Sequence, residues 1–301
     1  MKQVIIVGSR SSGSKNNPDE IARFIALNDA QVTRVYWEDI IFSVQAGVVR
    51  ITAGDTDLLL PSTDLVIAVG WYKNGKKSIY RDVAFSLALA LKHHAITFWN
   101  SEMGHQRSTT KLSAMVQLAL EGVPVPDTSF SLDINNVLAS KPEYPFVVKA
   151  IAASRGASNY LIEDEAQLLA IDISEGYFLV QPFLPNDHDL RVICFGGKPS
   201  LVLRRSRRSD ADTHMNNTSQ GGKAEWLELS DIAPELLTLS QKVCTIMGRE
   251  MAGIDLIPDN TSSVGYSCLE VNAVPQLTSG TDSDKKLTAF GEAVRDLQGD
   301  F

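Results

Sequence analysis

The stretch CLEVNAVPQL, residues 268–277, places an acid, Glu270, and an amide, Asn272, two positions apart in a run that is otherwise apolar. Side chains two apart on a strand share a face, so two oxygen ligands stand together where hydrocarbon is expected. A second apolar stretch, AGIDLIPD, carries Asp255, and the turn-rich segment between the two is short, which predicts a hairpin with all three oxygen-bearing side chains on one face. Buried carboxylates are rarely left unpaired. Hard cations such as Mg²⁺ take one or two carboxylates together with phosphate oxygens and waters. Asp255 alone reads as a strand-end residue facing solvent; as a trio inside apolar strands, Asp255, Glu270 and Asn272 are metal-ligand candidates. Lys149 closes the apolar run PFVVK and precedes the small-residue turn ASRGAS. Such a turn admits backbone N–H groups to phosphate oxygens, and a lysine beside it supplies a point charge.

The elements that must position these residues follow from periodicity. QVIIVG, TRVYW, DLVIAVGW and AITFWNS read as strands, and PDEIARFIALNDA and RDVAFSLALALKHH as helices, the first opening with Pro18. That alternation predicts a buried, parallel α/β sheet. From about residue 106 the texture changes. TTKLSAMVQLALEG is an amphipathic helix stopped at Gly122; PFVVKA and SNYLI are strands around the small-residue turn; EDEAQLLAIDI is a helix and GYFLVQPFL a strand. After the acidic loop PNDHD, DLRVICFGG and KPSLVLRRS pair as a hairpin around Gly196 and Gly197, a polar stretch follows, and APELLTLSQKVCTIMG is a helix ending at Gly248.

Bulk composition narrows the function classes. At 301 residues with 44% hydrophobic and 21% charged, the chain supports two or three subdomains. A formal net charge of -8 argues against a surface built for nucleic acid or for an anionic membrane. The cysteines Cys194, Cys244 and Cys268 are odd in number and widely separated, so neither a disulfide framework nor a structural zinc site is indicated, and a reducing, cytoplasmic location is expected. MKQVIIVG reads as a first strand, too short for a signal peptide, and nothing approaches the roughly 18 apolar residues of a membrane span.

Other polar features are less specific. GSRSSGSK, residues 8–15, resembles a phosphate loop, but its lysine comes one position late and no Ser or Thr follows it. It reads as a strand-to-helix loop, with Ser9, Arg10 and Lys15 as minor candidates for a substrate anion. Tyr72, Lys73 and Arg81 lie in a loop after a buried strand, where α/β sheets often carry ligand contacts, and are acceptor-substrate candidates beside the plain reading of a solvated loop. His93 and His94 suit a helix C-terminus, and His188 and His214 read as bystanders. The run RRSRRSD, residues 204–210, lacks interleaved aromatics and reads as a phosphate-facing cluster.

Taken in order, Lys111 in TTKLSAMVQL, Lys149 in PFVVKAIAASRGAS, FLVQPFL, Asp189 and Arg191 in HDLRVICFGGK, Arg204 and Arg205, Asn217 in NNTSQGG, Asp255 in AGIDLI, and Glu270 with Asn272 in EVNAVPQL resemble an ATP-grasp ligase. The likeness is to the RimK-like and glutathione-synthetase-like branch and covers about residues 100–290. It implies an α/β (α+β) chain: an N-terminal parallel α/β domain over 1–105, a central lid subdomain over 106–183, and a C-terminal subdomain with the metal site over 184–301. It implies ATP and Mg²⁺ as cofactors, with Mn²⁺ as an alternative cation. By position, Lys111 and Lys149 contact the ATP phosphates and adenine side, Gly156 belongs to the lid turn, the backbone of Gln181, Pro182, Phe183 and Leu184 lines the adenine, and Asp189 sits near the ribose. Arg205 and Asn217 face the transferring phosphoryl group, and Asp255, Glu270 and Asn272 hold the cation.

Three departures from the family pattern stand out: a lid turn that retains only Gly156, Pro182 where an acid is usual, and Met215 where an arginine is common, with Arg207 or Arg208 as substitutes. The reaction so implied joins a carboxylate to an amine through an acyl phosphate, on small-molecule or peptide substrates, with no nucleic acid or membrane partner and a homo-oligomer left open. Two alternatives stand beside it: an ester-forming or crosslinking peptide-modifying member of the same family, and an inactive nucleotide-binding regulator.

Overall fold

A computed structural model describes residues 1–10, 16–27, 30–69, 77–100, 111–151, 159–173, 176–207, 216, 222–273 and 275–297. Strands β1 (Lys2–Gly8), β2 (Ala30–Tyr36), β6 (Leu65–Ala68) and β7 (Thr97–Trp99) form a parallel sheet in the order β2-β1-β6-β7, with helices α1 (Pro18–Ala26) and α2 (Lys77–His93) as crossovers. The expected βαβ pattern is therefore present. β1 and β6 are buried along most of their length, as parallel strands covered on both faces must be.

Between β2 and β6 the structure adds a small antiparallel sheet that periodicity did not indicate: β3 (Ile40–Gln45), β4 (Val48–Ala53) and β5 (Thr56–Asp57). The β3–β4 turn is Ala46-Gly47, with φ of 49° and 80°. A two-residue turn with both φ positive usually announces itself as Asn-Gly or Asp-Gly; alanine in the first place hides it.

Helix α3 (Lys111–Leu120) leads into a central antiparallel sheet of β8 (Ser129–Phe130), β9 (Phe146–Ala150), β10 (Asn159–Ile162) and β11 (Phe178–Pro182), in the order β10-β9-β11-β8, with the short helices α4 (Ile134–Leu138) and α5 (Glu165–Ala170). Phe146, Val148, Ile162, Phe178 and Val180 give this sheet its own core.

The C-terminal sheet is antiparallel and ordered β14-β13-β12-β15-β16, from β12 (His188–Phe195), β13 (Lys198–Ser206), β14 (Lys223–Leu227), β15 (Ala252–Pro258) and β16 (Tyr266–Asn272), with helix α6 (Pro234–Met247) before β15 and helix α7 (Ser283–Arg295) after β16. Gly196 and Gly197 close β12 onto β13 with φ of 59° and 72°, the conformation the hairpin reading required. α6 ends on Gly248 in the left-handed region.

One face of the C-terminal sheet packs on α6 and α3 through Leu190, Val192, Val202, Ile254, Leu256, Leu239, Val243 and Met115. The opposite face carries Ile193 and Phe195 into a core shared with Val4, Ile6, Ile21 and Trp99 of the parallel sheet and with Leu287, Phe290 and Val294 of α7. The last helix thus returns to the first: α7 packs against α1. Among the described residues no helix is long and apolar enough to cross a membrane.

Phe290 is fully buried, 5.0 Å from the ring of Phe195 and 5.9 Å from that of Trp99. Because this core spans both sheets, Phe290→Ala is expected to cost about 3–5 kcal/mol and to leave a single denaturant transition for the parallel and C-terminal sheets. Two separate transitions in the wild-type chain, followed by tryptophan fluorescence, would contradict the shared core.

Candidate active site

Strand parity builds the site. On the face of β12 that meets the parallel sheet, alternate residues are Asp189, Arg191, Ile193 and Phe195, two charged and then two apolar. The apolar half belongs to the shared core; the charged half continues across the neighbouring strands. Asp189 stands opposite Arg205 on β13, Arg191 opposite Asp255 on β15, and Asp255 opposite Glu270 on β16. Gly253 pairs with Asn272, so the trio expected from spacing does share one face.

The charges are tightly paired. Arg191 donates from Nε to Asp255 Oδ1 at 2.7 Å and from its terminal nitrogen to Oδ2 at 2.8 Å. Arg205, 4% exposed, donates from Nε to Asp189 Oδ1 at 2.5 Å and reaches Asp255 Oδ1 at 3.2 Å. Burial opposes the charge on Asp255, but Arg191 and Arg205 outweigh it and hold the carboxyl below its ordinary range. Asp189, which shares its guanidinium with Asp255, is pushed up by burial.

Glu270 differs from both. It is half-buried, accepts no hydrogen bond from a described residue, and is raised by desolvation and by the charge of Asp255, against the pull of Lys111, Arg191 and Lys149. Asn272 donates its amide to Gly253 O at 3.4 Å, which leaves Oδ1 available as a ligand oxygen.

Two lysines approach from the central sheet side. Lys149, on β9, donates to Gln181 Oε1 at 2.8 Å, and Gln181 in turn donates to Thr128 Oγ1 at 2.8 Å. Lys111, at the start of α3, donates to Ala150 O at 3.2 Å. Desolvation lowers the Lys149 ammonium to about 8; Glu270 pulls it up and Lys111 presses it further down. The arrangement is a row of cations facing a half-compensated carboxylate, chemistry suited to drawing in an oxyanion and a divalent cation together.

Other candidate residues have contacts of their own. Pro182, Phe183 and Leu184 form the linker between the two sheets, where Phe183 N–H donates to Pro145 O at 3.1 Å and Leu184 O accepts from Asn186 at 2.7 Å. Arg207 donates to Asn186 O in the same linker. Arg204 points to the other sheet face, where it acts on Asp187 and Tyr266, and His188 lies between those two, 2.5 Å from Asp187 and 3.2 Å from Tyr266. Ser9 donates to Glu38 at 2.8 Å and Arg10 pairs with Asp39 at 2.5 Å. Gly156, Asn217, Met215, Arg208, Lys15, Tyr72, Lys73 and His214, with the side chain of Arg81, lie outside the described residues. Sequence reasoning missed the Gln181 side chain, Thr128, and the pairing of Arg191. Only the last left a signal, because Arg191 stands two after Asp189 on the same strand.

Residues 108–290, more than half of the chain, match the model of the RimK-like ATP-grasp domain. A probable alpha-L-glutamate ligase of Trichodesmium erythraeum (strain IMS101) is 28% identical over 205 residues, covering 64% of this chain and 67% of that one. Among solved structures, the ATP-grasp ligase PsnB complexed with a phosphomimetic variant of minimal precursor, Mg and ADP superposes with a TM-score of 0.68 at 13% identity, over 98% of both chains. The macrocyclase MdnC bound with precursor peptide MdnA from Microcystis aeruginosa MRC gives 0.66 at 16%, over 96% of this chain and 98% of that one. At these identities the structural likeness establishes the fold.

Arg205→Met would leave Asp189 and Asp255 as buried carboxylates with one guanidinium removed. It is expected to destabilise the chain by about 3–5 kcal/mol near neutral pH. A carboxyl held low in the folded state contributes stability above its unfolded value and loses it as pH falls. In the mutant that contribution is reduced to what Arg191 supplies, so the difference from wild type should hold down to about pH 4, the ordinary carboxylate range, and shrink as pH falls below it. Equal differences in urea midpoints at about pH 7 and about pH 3 would contradict the ion-pair assignment.

Proposed function

Because this chain belongs to the RimK-like ATP-grasp family and is an ATP-dependent ligase joining a carboxylate to an amine with formation of ADP and phosphate, we propose that phosphoryl transfer takes place over the charged half of the C-terminal sheet. The observation that carries this reading is Glu270, half-buried and without a side-chain donor among the described residues, directly across from an Asp255 that two arginines keep ionised. Two carboxylates and an amide oxygen make a hard-cation set, and with no cluster of three His, Cys, Asp or Glu among the described residues, phosphates and waters must complete it. Asp255, Glu270 and Asn272 would hold Mg²⁺, with Mn²⁺ as the alternative. When bound, the cation neutralises phosphate charge where a substrate carboxylate attacks the γ-phosphate.

The chain's own groups do the rest. Lys149, steered by Gln181, and Lys111 draw the ATP phosphates against the sheet, and the linker backbone at Gln181, Pro182, Phe183 and Leu184 borders the adenine. Arg205 is assigned to the transferring phosphoryl group, a role that the resemblance also gives to Asn217; Asp189, assigned to the ribose by resemblance, is given the role of holding Arg205 in place. The arginine and lysine charges are fixed before substrate arrives, so little reorganisation is needed as negative charge gathers. No side-chain nucleophile takes part. The glutamate-ligase name of the relative and the precursor peptides in the solved complexes support an amino-acid or peptide carboxylate and amine as substrates.

Phosphate release from ATP with Mg²⁺ should rise on adding the right pool of amino acids or peptides, and Glu270→Ala should lower it by about 100-fold. Release that no pool stimulates, or that survives in Glu270→Ala, would sink the assignment; the product mass then separates amide from ester. In a second measurement, nucleotide affinity should hold steady below pH 8 and fall, up to about tenfold per pH unit, as pH rises above it, because the Lys149 ammonium loses its proton there. Lys149→Met should bind more weakly and show a flat profile; a profile that keeps the wild-type fall would assign it to another group.

A further inference from the structure

Strand β7 hands over to the rest of the chain at Asn100, which is 0% exposed and sits in the left-handed region with φ of 62°. Asparagine tolerates that conformation better than most residues. Its backbone N–H donates to Glu250 Oε2 at 2.6 Å, its Oδ1 accepts from Met251 N at 2.9 Å, and its Nδ2 donates to Ala273 O. Every one of these partners lies in the C-terminal unit.

The partners also sit at one particular end of it. Met251 immediately precedes β15, and Ala273 immediately follows Asn272 at the end of β16. Since the two strands are antiparallel, one side chain ties the start of β15 to the finish of β16. This matters because the β15–β16 ladder is irregular: the register shifts between Asp255 and Leu256. A one-residue slip turns every side chain of a strand to the opposite face, and here it would carry Glu270 and Asn272 away from Asp255. On the opposite face the buried pair Ile254 and Val271 resists such a slip, but on the site face Asn272 has only Gly253 across from it, and there the bonds of Asn100 add to the hold.

Burial of apolar surface does not require an asparagine at this point. A buried amide costs free energy unless hydrogen-bonded, and this one is bonded through both its oxygen and its nitrogen across the boundary between two sheets. The segment beyond is held in the same manner: Leu277 N donates to Asn16 Oδ1 at 2.8 Å, Asn17 N donates to Thr278 Oγ1 at 2.9 Å, and Lys286 donates to Gln276 O and Ser279 O.

We propose that Asn100 is a positioning residue for the cation: from the parallel sheet it pins the register of β15 against β16, so that Asp255, Glu270 and Asn272 present their oxygens together. This rests on reading those three as the cation-holding set.

The test uses the full chain and calorimetric titration of ADP with and without Mg²⁺, with thermal melting alongside. Asn100→Gly accepts a positive φ without strain and deletes only the side-chain bonds. The gain in ADP affinity that Mg²⁺ brings should drop by roughly tenfold, while affinity for Mg²⁺-free ADP stays within about twofold. A folded Asn100→Gly that keeps the full Mg²⁺-dependent gain, or that weakens ADP equally with and without Mg²⁺, overturns the proposal. Asn100→Asp retains an acceptor for Met251 N but has no donor for Ala273 O, and decides the question where Asn100→Gly does not accumulate folded. Glu270→Ala separates the two readings: if it too keeps the gain, the cation assignment itself fails, whereas loss there with retention in Asn100→Gly overturns the role of Asn100 alone.

Discussion

Asp255 is a carboxylate held by two guanidinium groups, and the rest of the site depends on that pairing. Arg191 takes both of its oxygens, and Arg205 divides itself between Asp255 and Asp189. An unpaired buried charge would neutralise itself by shifting its pKa; here the arginines prevent this, and Asp255 stays ionised. The consequence falls on its neighbour. Glu270 faces an ionised carboxylate across the ladder with no side-chain donor among the described residues, and at longer reach Lys111, Arg191 and Lys149 compensate its charge. Among the described residues Asp189, Asp255 and Glu270 share this face of the sheet with the guanidinium groups of Arg191 and Arg205, an excess of one carboxylate before the lysines of the central sheet side are counted.

The same sheet face does two jobs because of how its strands are divided. Along β12, Asp189 and Arg191 belong to the site while Ile193 and Phe195 belong to the core shared with the parallel sheet. The apolar half fixes the charged half in space: Ile193 and Phe195 are packed against Trp99, Leu287 and Phe290. The central sheet, by contrast, has a core of its own in Phe146, Val148, Ile162, Phe178 and Val180. What it offers the site is charge, through the Lys149 ammonium that Gln181 and Thr128 aim from one side.

Much of this was legible before any coordinates. The strands that carry Asp255, Glu270 and Asn272 are apolar runs, and a period of two places Glu270 and Asn272 together whatever the surroundings. The Gly196–Gly197 hairpin was legible because few other residues fit its turn. The β3–β4 hairpin was not, because Ala46 stands where asparagine would have marked the turn. Helix α7 gave no functional signal either. Its buried Lys286 reads on paper as one more surface lysine, and only folding places it under the carbonyls of Gln276 and Ser279.

The sequence by itself determined which side chains can share a face, since that depends only on backbone periodicity, and it carried the order of motifs that identifies the family. It did not determine who pairs with whom. The choice of Arg191 and Arg205 as partners for Asp255, the isolation of Glu270, the lowered Lys149 and the clip made by Asn100 all join residues far apart in the chain. Each depends on register and on burial, quantities that exist only once the strands are laid side by side and water is excluded from between them.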